Sequence, residues 1–177
     1  MKYLAVILNT AIICSMIAIG YISVPEVRAN EMLGRFTDED RYCLAQNIFF
    51  EARNQTIEGQ VAVAWVTLNR YESEEFPSTL CSVVKQARLD ANGNPLRNQC
   101  QFSWYCDGKS DRIPKNKVAQ RAWEDAQLIA RVVLLEWARG KTSPVKEATM
   151  YHADYVKPYW AKNFDLVAIV GDHIFYE

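Results

Sequence analysis

From Leu4 to Ile19 the chain is largely apolar, and from Thr37 onward apolar positions recur at the three-to-four residue spacing of a helix. Within TDEDRYCLAQNIFFEARN, Tyr42, Ala45, Phe49 and Ala52 mark one face, and Thr37 can cap the start with Asp40 three residues on. A helix over 37–54 follows, and a second over 57–70 rests on Val61, Ala64, Trp65 and Leu68. FPSTLCSVVKQA predicts a third, opening near Pro77 and carrying Leu80, Val83, Val84 and Ala87 at helical spacing. From Leu89 to Ile113 the period is lost while Gly, Asn, Pro and Asp gather around CQFSWYCDG, which predicts a long functional or mobile loop. Periodicity returns in KVAQRAWEDAQLIARVVLLEWARG, with Val118, Ala122, Ala126, Ile129, Val133 and Trp137 on one stripe and Gly140 as the stop. ATMYHA and LVAIVGDHIFYE then favour short strands, with Gly171-Asp172 placed to turn a hairpin. The pattern as a whole predicts one α+β domain, mainly helical, with a small antiparallel sheet and no repeats or linkers.

The first segment differs in kind. Lys2, the apolar run and VPEVRAN, with Val27 and Ala29 matching the small-residue rule, read as a secretory signal spanning 1–29 and cut after Ala29. An uncleaved anchor competes with that reading, because residues 4–19 are nearly long enough to span a bilayer and would associate the protein with a membrane. Either way the working domain, residues 30–177, is expected outside the cytoplasm, in the periplasm, the wall or the medium.

Charge changes the picture mainly by exclusion. Removing residues 1–29 takes Lys2, Arg28 and Glu26, so 20 basic and 21 acidic residues become 18 and 20, a net charge of −2. No basic run or arginine-rich face offers the footprint that nucleic acid requires. Beyond the leader four cysteines remain, Cys43, Cys81, Cys100 and Cys106. In an exported chain an even count favours disulfides, and pairing Cys43 with Cys81 and Cys100 with Cys106 closes a short aromatic loop. Buried free thiols are the competing reading.

The candidate chemistry begins with Glu51, a carboxyl group delivered by the apolar run Ile48, Phe49 and Phe50 close to a helix end. Apolar surroundings and the negative pole of the helix both favour the protonated acid, as a general acid needs. From the pattern alone, a salt bridge of Glu51 to Arg53 or another arginine is equally good. Cys43 with His152 as a thiol hydrolase lacks a motif, and His152 and His173 stand outside any zinc-ligand pattern, so neither a metal nor another cofactor is expected.

CLAQNIFFEARNQTIEGQVAVAWVTLNR closely resembles the opening of the SleB/CwlJ-type cell wall hydrolases, the spore cortex-lytic enzyme family. FPSTLCSVV, CQFSWYCDG, YHADYVKPYW and GDHIFY continue the likeness in the expected order. The resemblance implies a single domain similar to lysozyme-like lytic transglycosylases, with Glu51 as catalytic acid at a helix end facing a glycan cleft. The implied partner is the peptidoglycan glycan strand, cut between N-acetylmuramic acid and N-acetylglucosamine. Transglycosylation needs one carboxyl group, whereas a muramidase-type hydrolase needs a second, and Glu58 is the nearest by sequence. A zinc-dependent amidase and a non-catalytic glycan-binding protein compete with both glycosidase readings. Substrate-binding candidates are Phe102, Ser103 and Trp104, for stacking and hydrogen bonding, together with Tyr151 and His152; taken singly, Trp104, Tyr151 and His152 are better explained as core residues, and Gln60 either faces the cleft or packs the start of its helix. The length leaves no room for the separate wall-binding module that spore enzymes of this kind often carry.

Overall fold

The computed structural model describes residues 24–177, with side chains from Arg28 onward, so the apolar run 4–19 lies outside the described residues. The chain runs α1 (Val24–Leu33), α2 (Asp38–Ala52), α3 (Ile57–Glu72), α4 (Leu80–Val84), β1 (Ala87–Leu89), β2 (Pro95–Cys100), a 3-10 turn (Ser103–Cys106), α5 (Lys117–Ala138), β3 (Met150–Ala153), a second 3-10 turn (Ala161–Asn163), β4 (Leu166–Val170) and β5 (His173–Tyr176). This is the mainly helical α+β architecture expected from the pattern. No helix among the described residues is long and apolar enough to cross a membrane.

The middle of α2 is enclosed on every side, with Cys43 through Phe49 all buried, while most of its first turn and Tyr42 face solvent. It packs against α3, α4 and α5, while α1 lies on α5. Thr37 starts it with a complete capping box, in which its Oγ1 accepts from the Asp40 amide at 3.0 Å and Asp40 Oδ2 accepts from the Thr37 amide at 3.1 Å. Two polar residues inside this helix are satisfied across the core. Asn47 donates to Thr67 Oγ1 at 3.1 Å and accepts from Trp104 Nε1 at 2.9 Å; Gln46 donates to the Asp111 carbonyl at 2.9 Å. Such bonds remove the cost of burying the amides and fix α2 in one register against its neighbours.

A main core joins α1, α2, α3 and α5 to Phe175 of the sheet, and a smaller one gathers Cys43, Val83, Val84, Phe102 and Trp104. Phe50, Tyr71 and Tyr151 pack against both. The β3-β5-β4 sheet is antiparallel, with Tyr151 opposite Phe175 and Ala153 opposite His173. Its β4–β5 hairpin turns at Gly171, whose φ of +56° lies in the left-handed region. A Cβ there would stand 2.6 Å from Gln55 Oε1. That close approach serves a tie: Gln55 accepts from the Asp172 amide and donates to Asp172 Oδ2, each at 3.1 Å. The loop leaving α2 is thereby fastened to the sheet.

Three expectations need correction. The helix expected through Ala87 ends at Val84, because Lys85 caps it and Gln86 and Ala87 are drawn into pairing, with Ala87 opposite Cys100; its N-cap is Thr79 rather than a first-turn proline. Residues 89–113 are no continuous loop. They hold the rest of a β1–β2 hairpin, turned by Asp90, whose Oδ1 accepts from the Asn92 and Asn94 amides at 2.8 Å, and then the 3-10 turn. On the long helix, Ala126, Ile129, Val133 and Trp137 are buried, but Val118 is 81% exposed, because the first turn of α5 projects beyond the core. Both expected cysteine pairs are present as disulfides, Cys43–Cys81 tying α2 to α4 and Cys100–Cys106 tying the hairpin to the 3-10 turn.

Candidate active site

A cleft of about 890 Å³ opens where the two cores meet. One wall is the β1–β2 hairpin and the turn after it, presenting Gln86, Arg88, Gln99, Gln101 and Ser103. The other is β3 and the segment that follows, presenting Tyr151, His152, Tyr155, Val156 and Trp160. Glu51 and Arg70 lie on the floor, and Glu51 is the one carboxylate among the described residues that line the cleft.

Glu51 occupies the last turn of α2 and is partly buried, with Tyr151 of β3 donating its hydroxyl to Oε2 at 2.8 Å. Burial raises the Glu51 pKa above its ordinary value of 4.5, opposed by the Tyr151 hydrogen bond and by the charge of Arg70. The same burial, reinforced by the Glu51 charge, pushes the Tyr151 phenol well above 10.0, so it stays a donor. Burial lowers the Arg70 pKa, opposed by Tyr151 and Glu51, yet an arginine keeps its charge across the physiological range. The floor thus holds a carboxyl group poised between burial, which favours the acid, and two partners, which favour the carboxylate.

Arg70 comes from the last turn of α3 and is only 3% exposed. Its Nε donates to the Thr149 carbonyl at 2.7 Å, and its guanidinium lies over Phe102 at 4.7 Å and Phe76 at 5.4 Å. Nη1 is buried with no hydrogen-bond partner among the described residues. Sequence reasoning missed this residue, although a signal was present: Val63, Val66, Thr67 and Arg70 share one helical face, which sets a cation among buried positions.

Of the residues singled out from sequence, the structure brings Glu51, Ser103, Tyr151 and His152 to the cleft. His152 stacks on Tyr176 with ring centroids 5.4 Å apart, and its Nε2 is 2.9 Å from the Tyr176 hydroxyl. Phe102 and Trp104 are elsewhere. Both are buried in the smaller core, Phe102 beneath Arg70 and Trp104 stacked on Phe50 at 4.7 Å, because the 3-10 turn folds these two rings inward while Ser103 faces out and Tyr105 is half-buried. Gln60 is buried at the start of α3, donating to the Gln55 carbonyl at 3.2 Å, and lines a separate hollow with Leu128 and Ile129. Glu58 is exposed and does not line the cleft. His173, also unforeseen as a site residue, does line it, edge-on to Tyr151 at 5.2 Å. Burial lowers its pKa, against the pull of Asp172 and Asp154. Among the described residues the one group spaced for a metal is Glu39, Cys43 and Cys81, and its two sulfurs are bonded to each other.

The cell wall hydrolase family model matches residues 54–176, most of the chain. The chain belongs to the cell wall hydrolase family. The matched span starts three residues beyond Glu51 and takes in Arg70, Tyr151, His152 and both walls of the cleft. Among individual members, the chain is similar to the spore cortex-lytic enzyme of Bacillus subtilis, 32% identical over 150 residues, covering 84% of this chain and 41% of that one. The spore cortex-lytic enzyme of Halalkalibacterium halodurans is 30% identical over 149 residues, covering 84% and 38%. The chain therefore spans less than half the length of these relatives. Among solved structures, the catalytic domain of the germination-specific lytic transglycosylase SleB from Bacillus anthracis superposes with a TM-score of 0.54 at 26% identity, covering 80% of this chain and 97% of that one. The SleB catalytic domain from Bacillus cereus gives 0.51 at 25%, covering 80% and 92%. This member of the cell wall hydrolase family thus shares the architecture of a SleB catalytic domain.

Proposed function

We propose that this protein cleaves peptidoglycan glycan strands between N-acetylmuramic acid and N-acetylglucosamine, as a lytic transglycosylase in which Glu51 is the single catalytic acid and base. The observation that carries the reading is the Glu51 carboxyl on the cleft floor, raised toward the acid by burial and held by Tyr151 at 2.8 Å. The family membership and the SleB likeness support the substrate class. Protonated Glu51 gives its proton to the glycosidic oxygen as the bond from that oxygen to muramic C1 breaks, releasing the sugar that was its aglycone. The carboxylate so formed is met by the Tyr151 hydroxyl and by the Arg70 charge. It then takes the proton of the muramic C6 hydroxyl as O6 bonds to C1, which closes the 1,6-anhydro ring and restores the acid. No water enters the balance, and one carboxyl group performs both transfers. A hydrolase of the usual kind uses two carboxyl groups about 5–9.5 Å apart, and Glu51 has no such companion among the described residues lining the cleft.

Export belongs to the same proposal: two disulfides suit an oxidising compartment, and a leader over residues 1–29 would deliver the domain to the wall. The test is mass spectrometry of purified peptidoglycan digested by the protein and by its Glu51→Gln variant. Anhydromuropeptides are expected from the parent, with the variant slower by about 10²–10⁴-fold, the range for a lost general acid. Reducing-end muropeptides instead would make it a muramidase. Free stem peptides, with activity lost to a chelator, would make it an amidase and remove Glu51 from the chemistry.

A further inference from the structure

Beyond the cleft wall, the segment joining β3 to β4 carries an unusual load of outward-facing aromatic surface. Tyr155 is 84% exposed and Tyr159 85%, with Val156 and Phe164 also exposed. Large apolar side chains exposed together on one short segment make it a candidate binding surface. It is also ordered. Backbone bonds from Val156 to the Ala153 carbonyl at 2.9 Å and from Asn163 to the Trp160 carbonyl at 2.9 Å hold its turns. Trp160 pins the middle of the segment to the sheet, packing edge-on against His152 at 5.6 Å and Tyr176 at 5.7 Å.

The strip continues the cleft. Tyr155, Val156, Pro158 and Trp160 line the same cavity as Glu51, and Tyr159 sits between two of them with its ring in solvent. Across the cavity, Gln86, Gln99, Gln101 and Ser103 present amides and a hydroxyl. One wall is therefore apolar and aromatic, the other rich in hydrogen-bonding groups. A pyranose ring has the matching division: its faces are C–H surface and its rim is hydroxyl and acetamido. A lipid surface matches less well, because the charges on the segment itself are balanced, Asp154 and Asp165 against Lys157 and Lys162, and the facing wall adds a single cation, Arg88, so the described residues here make no basic cluster for anionic headgroups.

We infer that Tyr155 and Tyr159 form an outer glycan-binding strip that holds a strand beyond the sugars being cut, so that the protein acts on polymer in preference to short fragments. This rests on the glycan-cleaving reading above and adds to it where the strand lies and what sets its preferred length. Tyrosine rings carried on a loop whose backbone is already held can stack on successive sugar faces at little entropic cost, since a tyrosine has few side-chain rotations to lose. The stacking adds affinity in proportion to the sugars engaged, which shows in KM for long strands.

The experiment uses the full chain in two backgrounds. In the Glu51→Gln background, sedimentation with insoluble peptidoglycan is measured with and without Tyr155→Ala and Tyr159→Ala together; both side chains are exposed, so folding is not at stake. The expected result is at least a fivefold loss of bound fraction at limiting wall. In the active background, the ratio of kcat/KM on long strands to that on a tetrasaccharide should fall by a similar factor through KM. An unchanged ratio and unchanged sedimentation overturn the inference. So does a loss of sedimentation with phospholipid vesicles in place of wall, or a change of oligomeric state, since the strip would then serve a membrane or a second copy. Failure of the glycan-cleaving reading is seen separately: the parent would release no muropeptides while the sedimentation comparison still reports on the strip.

Discussion

Glu51 has to hold a proton at the start of the proposed cycle and do without it in the middle, and its surroundings are arranged for both. Burial holds the proton; Tyr151 and Arg70 make its loss tolerable. Arg70 is the partner whose effect separates cleanly, because its charge lowers the Glu51 pKa. Removing it in Arg70→Met leaves burial less opposed, so the pKa rises further. An acid that must be protonated to act then survives to higher pH, and the alkaline limb of the pH–rate profile moves up. The maximal rate falls at the same time, because the transient carboxylate loses the positive charge that supports it. Arg70→Lys keeps the charge while losing the fork that reaches Thr149 and the flat face over Phe102, so it costs stability and leaves the limb in place. A limb that moves equally in both variants would mean that Arg70 acts through packing alone. At this scale the apolar helix singled out Glu51 as an energetic anomaly but left it even between an acid and a salt bridge to an arginine; what the pattern could not give is its place in the cleft beside Tyr151. Phe102 and Trp104 were not legible: an aromatic residue in an aperiodic stretch is equally suited to sugar and to core, and only the 3-10 turn decides between them.

Elements with strong periodicity or capping chemistry were readable. The capping box at Thr37 and the Gly171-Asp172 turn both appear where the pattern puts them. The β1–β2 hairpin was not, because its strands are short, mostly exposed on both faces and free of alternation. What defines it is a side-chain turn at Asp90 and the Cys100–Cys106 bridge. The two disulfides therefore act differently. Cys43–Cys81 closes a span of 38 residues between helices of the core, and by chain entropy is worth about 4 kcal/mol; Cys100–Cys106 spans 6 and is worth about 2 kcal/mol. Cys43→Ala with Cys81→Ala should lower the melting temperature more than Cys100→Ser with Cys106→Ser. The second pair should instead raise KM, because Cys100 lines the cleft and its bridge steadies a cleft wall. Differential scanning calorimetry beside steady-state kinetics checks both, and the reverse ranking of stabilities would show that the hairpin, not the α2–α4 link, is the part the fold depends on.

A chain cut after Ala29 and a chain left whole differ as folded molecules, not only in their address. α1 runs from Val24 to Leu33, straight through the proposed cleavage point, and Ala29 is 1% exposed within the main core. Cleavage leaves Asn30 to Leu33, a single turn whose last hydrogen bond, from the Gly34 amide to the Asn30 carbonyl at 3.0 Å, no longer caps a helix. So short a helix does not persist by its own propensity, and what keeps Met32, Leu33 and Phe36 in place is contact with the rest of the core. Among the residues whose side chains are described, cleavage removes one buried methyl group, that of Ala29, and with the turn beneath it this comes to about 1 kcal/mol, or roughly 2–4 °C in a domain of this size. A protein beginning at Asn30 should accordingly melt a few degrees below one beginning at Val24, with the cleft and its muropeptide products unchanged, since α1 packs on α5 and none of its described residues lines the cleft. Equal melting temperatures would mean that α1 adds nothing to the folded domain, which is the behaviour a removable leader requires. A clear loss would favour retention of the segment in the exported protein, and with it the membrane-anchored form, which the N-terminal sequence of protein recovered from the wall or membrane fraction then decides.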